Sequence, residues 1–190
     1  MRATEELRAE HDGILTILEI LEKISNRLSA GEAVEASHLD QILEFLKVFA
    51  DRCHHGKEEG ILFPVLEEAG IPNQGGPIGV MLHEHTDGRA HIQEMDKALD
   101  GMKKGDSDAP RSFANASRLY IDLLKQHIEK ENQVLFPMAD HNLTAERQRD
   151  IAEQFDNFEK EKIGAGRHEA FHKMMDELAE IYLDAPAETH

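Results

Sequence analysis

The sequence predicts an all-α fold: an up-down-up-down four-helix bundle with an additional C-terminal helix. Three observations carry this. Apolar residues recur at spacings of three and four, while strand-like alternation is scarce. Glycine and proline gather around Gly31, from Gly70 to Pro77, from Gly101 to Pro110 and from Gly164 to Gly166, leaving long segments between them. The connections are short, which makes successive helices antiparallel neighbours.

The first helix is expected over about Thr4 to Ser29, where Leu7, Ile14, Leu18 and Leu21 keep one face apolar. The second opens after Ser37, a residue suited to N-capping, and runs to about Ala69. The third covers about Ile78 to Met102, and the fourth runs from Pro110 or Ser112 to about Asp140. A fifth segment follows Thr144 and reaches Leu183, with a break at Gly164-Ala165-Gly166. Its Ile151, Phe155, Phe158, Phe171, Met174, Leu178 and Tyr182 are expected to pack on the outside of the bundle. Residues 184–190 read as a frayed tail. The chain thus divides into a bundle over 1–142 and a helical extension over 143–190.

Composition excludes several functions. The 190 residues carry 21 Lys+Arg against 38 Asp+Glu, a net charge of −17. Nucleic acid and anionic membrane surfaces both call for a cationic face. A single Cys leaves no intramolecular disulfide and no Cys-based zinc site. No apolar run approaches a spanning helix, and the polar start is unlike a secretory signal, so a cytoplasmic location is expected. Twelve His in a chain with 2 Tyr and no Trp call for an explanation.

An internal repeat supplies one. Residues 54–64 read HHGKEEGILFP and residues 127–137 read HIEKENQVLFP, with six of eleven positions identical. His54 aligns with His127 and Glu58 with Glu131. Upstream of each stands a Glu-His pair, Glu10-His11 and Glu84-His85, at nearly equal distance. One two-helix unit is used twice, and each copy brings a lone His and a His-x-x-x-Glu.

Helical position tests these residues independently. Seams at 3.5 spacing run through Leu7, His11, Ile14 and Leu18; Leu46, Ala50, His54, Glu58, Ile61 and Val65; Met81, His85, Gly88 and Ile92; and Leu124, His127, Glu131, Val134 and Met138. In each helix a polar side chain interrupts an apolar stripe. Buried imidazoles and carboxylates cost several kcal/mol each unless they satisfy one another or a metal. On the same criterion His55 and His83 lie off the seam, which favours His54 with Glu58 over His55 with Glu59, and His85 over His83.

Residues i and i+4 share a helix face, so a His and a Glu of one helix can reach one centre. Four imidazoles and two carboxylates suit two metals bridged by the carboxylates. That mixture fits iron better than calcium or magnesium, with manganese or zinc as lesser candidates. A buried hydrogen-bond network without metal, and a mononuclear site, stand as alternatives.

The layout lone His, H-x-x-x-E-x-x-x-L-F-P, lone His, H-x-x-x-E-x-x-x-L-F-P resembles the hemerythrin-like, or HHE cation-binding, domain over about residues 5–140. The resemblance implies a four-helix bundle with a non-haem di-iron centre, oxo- or hydroxo-bridged. Its implied ligands are His11, His54, Glu58, His85, His127 and Glu131, with the two glutamates bridging. Oxygen-carrying hemerythrins are similar but use five His and two carboxylates. Four seam histidines point instead to hemerythrin-like proteins linked to nitric oxide, peroxide or iron handling, and His55 or Glu59 stands as a candidate fifth ligand. The implied partner is a small diatomic or peroxide ligand, and iron sensing or iron donation and repair are the alternative roles.

Other residues have plainer readings. Gly88 suits either tight packing or space for a ligand, Tyr120 either the core or the site, and Cys53 a small buried residue. His168 and His172, at i and i+4, read as surface rather than a second metal site, as do His38, His141 and His190.

Overall fold

The computed structural model describes residues 2–162, 164 and 166–183. The expected tail, with His190, lies outside the described residues. Helix α1 spans Ala3–Ser29. Helix α2 is α-helical over Ala36–Phe45, π-helical over Leu46–His55 and Glu58–Leu62, and α-helical again over Phe63–Glu68. Helix α3 spans Pro77–Lys103. Helix α4 is α-helical over Ala109–Lys130, π-helical over Glu131–Leu135 and α-helical over Phe136–Asn142. Helices α5, Ala145–Lys162, and α6, Arg167–Tyr182, follow. There is no strand among the described residues.

The expected all-α bundle with its C-terminal addition is what forms. The fifth segment is two helices, parted at the glycines, with Gly166 at φ 83° where a side chain would be strained. The start of α2 differs from expectation. Its N-cap is Glu35, and Ser37 sits in the first turn with its hydroxyl donating to Glu35 Oε2 at 3.4 Å.

Helix α1 packs on α2 and α4, and α3 packs on the same two, closing a four-helix ring. Helix α5 lies against α1 and the π-helical part of α2, and α6 against α1 and the start of α2. Gly56 permits the α5 approach: a Cβ there would meet Phe158 Cζ at 2.8 Å.

The apolar interior falls into two clusters with a polar layer between them. One holds Ile14 to Leu28 of α1, Leu39 to Ala50 of α2, Ile92 to Leu99 of α3 and Phe113 to Ile128 of α4. The other holds Ala3, Leu7, Leu62, Phe63, Leu66, Ile78, Met81, Leu135, Phe136, Ile151 and Phe155. The six polar seam positions, His11, His54, Glu58, His85, His127 and Glu131, fall in the gap between the clusters.

The π turns shift the register of the seams. Beyond Glu58 the buried positions are Leu62 and Leu66, rather than Ile61 and Val65. Beyond Glu131 they are Leu135 and Ala139, while Val134 is 50% exposed. Each π turn inserts one residue into the helical repeat, so an apolar stripe that was in phase before it is one position out afterwards.

Candidate metal centre

His11, His54, Glu58, His85, His127 and Glu131 converge in the polar layer, each no more than 1% exposed. His11 Nε2 lies 3.0 Å from His54 Nε2, and His85 Nε2 lies 3.1 Å from His127 Nε2. Each carboxylate divides its oxygens between the two pairs. Glu58 Oε1 is 3.7 Å from His54 Nε2, and Oε2 is 3.4 Å from His85 Nε2. Glu131 Oε1 is 3.3 Å from His127 Nε2, and Oε2 is 3.2 Å from His11 Nε2. The two-unit repeat of the sequence therefore becomes an approximate two-fold relation in space: one His pair from each unit, and one carboxylate from each unit reaching both.

His55 corrects the seam argument. It is 4% exposed, and its ring stacks on that of His85 with centroids 3.8 Å apart. Its donor atoms lie within 4.8 Å of those of Glu58, His85 and His127, as those of His11, His54, Glu58 and Glu131 do among themselves. A seam drawn at 3.5 spacing assumes α-helical winding, whereas His54 and His55 close a π-helical stretch whose wider turn brings both inward. In the second unit the matching position is Ile128, so His55 breaks the two-fold relation. Glu59, the other candidate fifth ligand, accepts from His85 Nδ1 at 2.8 Å and is 30% exposed.

The outer nitrogens are held by groups to which the sequence reading gave no role. Glu10 Oε2 lies 2.8 Å from His54 Nδ1, and Glu84 Oε2 lies 3.0 Å from His127 Nδ1. Asn132 Oδ1 lies 3.0 Å from His11 Nδ1, and it aligns with Glu59 in the repeat. An acceptor at Nδ1 fixes the N–H there and turns the lone pair of Nε2 to the centre. Lys57 Nζ donates to Glu10 Oε1 at 2.6 Å, and the repeat-related Lys130 donates to Glu84. These lysines are identical positions of the repeat, and the glutamates belong to its Glu-His pairs. The signal was in the sequence, but the partnership across helices was not.

Burial penalises charge at these groups, and their partners overcome the penalty. The hydrogen bond and charge of His54, with Lys57, hold Glu10 down to about 2. His127 is pushed up to about 10 by Glu131 and Glu84 despite burial. His54 and His85 are raised in the same way, chiefly by the carboxylates that face them. Burial, with the neighbouring imidazoles, pushes His55 well below the usual range.

The donor set fits a metal. Both oxygens of Glu58, both of Glu131 and both nitrogens of His55 are buried with no hydrogen-bond partner, although nitrogens lie 3.2–3.7 Å from the carboxylates. Buried acceptors in that state carry a desolvation penalty of about 1–3 kcal/mol each, which a shared cation removes.

The raised imidazoles give the metal-free chain a defined pH dependence. Their stabilisation is complete below the ordinary value of 6.5 and is lost as pH rises through the folded values, about 10 for His127. The metal-free chain is expected to melt at progressively lower temperature as pH rises from 6.5 toward 10. Melts followed by circular dichroism check this, and a flat profile would contradict it.

A third group, Glu10, Glu159 and His168, also converges within 4.8 Å. Lys57 already satisfies it, donating to Glu10, Glu6 at 2.8 Å and Glu159 at 3.2 Å. His168 is half-buried and His172 exposed, and both line a cavity of about 330 Å³ with Phe45, Phe49 and Phe171. His38 is not a plain surface residue, since its Nδ1 pairs with Tyr182 Oη at 2.7 Å; His141 is exposed. Tyr120 is buried against Gly88, where a Cβ would sit 3.6 Å from the ring. Cys53 is fully buried, and burial pushes its thiol up to about 12, which suits a packing role.

The family described as the hemerythrin HHE cation binding domain matches residues 2–139. An uncharacterized protein of Mycobacterium tuberculosis is 28% identical over 179 residues, 94% of this chain and 68% of that protein. The iron-sulfur cluster repair protein YtfE of Musicola paradisiaca is 33% identical over 131 residues, 66% of this chain and 55% of its own length. That of Dickeya chrysanthemi is 35% identical over 88 residues, 45% of this chain and 40% of its own length. No solved structure gives a significant match.

Proposed function

The chain belongs to the hemerythrin HHE cation-binding domain family, and from that premise we propose that it is a non-haem di-iron protein that meets a small oxidant: O2, NO or peroxide. The observation that carries this is the division of Glu58 and Glu131 between two histidine groups. In this reading His11 and His54 would hold one iron and His55, His85 and His127 the other, with Glu58 and Glu131 placed to serve both. With His55 the set is five imidazoles and two carboxylates. Iron bound there supplies Lewis acidity and redox chemistry.

The protein's own groups orient and shield. Phe136 stacks on His11 and Phe63 on His85, at 5.5 and 5.9 Å between centroids, closing the site with apolar rings. Glu10, Asn132, Glu59 and Glu84 fix the imidazoles from behind. The His11–His54 side has one imidazole fewer, and we place the small ligand there. Within the described residues no helix is long and apolar enough to cross a membrane.

Anaerobic titration of metal-free protein with Fe²⁺ is expected to saturate at about two per chain. Mixing the loaded protein with O2, NO or peroxide is expected to raise a visible absorption with at least one of them. Saturation at one iron contradicts the dinuclear centre, and silence toward all three contradicts the oxidant role. A second reading, iron donation in repair, draws on the likeness to YtfE. Iron transfer to an apo iron–sulfur acceptor tests it, and no transfer dismisses it.

A further inference from the structure

The two Lys–Glu–His chains have the same origin in the repeat but different surroundings. Lys130 is 40% exposed at the bundle surface, and its acceptor is Glu84. Lys57 is fully buried and shared among Glu10, Glu6 and Glu159. Glu159 belongs to α5, beyond the residues that the family match covers. A continuous path of polar contacts thus runs from α5 to the metal centre: Glu159 to Lys57 at 3.2 Å, Lys57 to Glu10 at 2.6 Å, Glu10 to His54 at 2.8 Å. The counterpart path, through Lys130 and Glu84 to His127, meets solvent in place of a helix.

We propose that α5 acts as a control arm on one half of the centre, its Glu159 setting, through Lys57 and Glu10, the donor strength of His54. The inference rests on the dinuclear reading above. Glu159, Lys57 and Glu10 are positioning residues.

His54 and Lys57 compete for one carboxylate. Glu10 accepts from both His54 and Lys57, and the more strongly it is drawn to the ammonium, the less electron density His54 delivers through Nε2. Glu159 offsets part of the ammonium charge and so releases Glu10 toward His54. The 330 Å³ cavity lined by Glu10, Glu159 and His168 opens this path to the surface on the α6 side. The arm therefore distinguishes the His11–His54 position from its repeat-related partner, in addition to the difference that His55 makes on the other side.

The test loads the full chain with ⁵⁷Fe and reads Mössbauer spectra and iron affinity by chelator competition. Wild type is expected to show two doublets. Glu10→Gln is expected to move one doublet and weaken one iron by about 10–100-fold, and Glu84→Gln to do the same to the other. Glu159→Gln is expected to move the doublet that Glu10→Gln moves, with a smaller loss of affinity in the same direction. Glu153→Gln, exposed on the same helix, should leave both doublets in place. The proposal is overturned if Glu159→Gln matches Glu153→Gln in a folded, two-iron protein, if all variants move both doublets alike, or if wild type gives a single doublet. Wild type that takes fewer than two irons instead refutes the underlying dinuclear reading, before any variant is compared.

Discussion

Glu131→Ala is expected to abolish retention of the metal pair, from about two irons per chain to none surviving gel filtration. Glu131 stands between His11 and His127, its oxygens without a hydrogen-bond partner among the described residues, so its loss removes an oxygen from both halves at once. It also removes the charge that compensates buried imidazoles, and breaking a buried pair from one side costs about 3–5 kcal/mol. The metal-free variant is therefore expected to be less stable as well. Glu131→Gln keeps the volume and one acceptor, and should stay folded while still failing to hold the pair. Glu129→Ala, exposed on the same helix, should behave as wild type. Metal analysis beside circular dichroism separates the outcomes, and a folded Glu131→Gln protein with both irons would contradict the bridging role.

Lys57→Met carries the largest expected loss of stability outside the centre. Lys57 is fully buried among three carboxylates, of which Glu10 is held ionised, down to about 2, partly by this lysine. Without the ammonium, Glu10 must repel its neighbours or take up a proton. An expected loss of about 3–5 kcal/mol in denaturant unfolding follows. Lys130→Met is the repeat-related control: Lys130 is 40% exposed, so its loss is expected to cost less, about 1 kcal/mol. Lys57→Met with Glu10→Gln should recover part of the loss, because the charge left stranded is also removed. Equal effects for the two lysines would contradict the difference in burial on which the argument turns.

Much of this was legible in the sequence. The glycine and proline clusters place the helix ends to within a few residues, and the seams of α1 and α3 are buried as drawn, from Leu7 to Leu18 and from Met81 to Ile92. The six polar interruptions come together because each one breaks an apolar stripe that the bundle must bury. What escaped was winding. A seam drawn at constant pitch cannot anticipate π turns, so it loses phase after Glu58 and Glu131 and sets His55 off a buried layer that it joins. Partners across helices also escaped. Lys57 and Lys130 were visible as repeated residues, but only packing shows that one is sealed beneath α5 and the other open to water.

The most direct test is a crystal structure of the iron-loaded chain with anomalous scattering recorded at the iron edge. Two peaks are expected, one against His11 and His54 and one against His55, His85 and His127, with Glu58 and Glu131 contacting both. A single peak, peaks elsewhere, or His55 turned away from the metal would contradict the account.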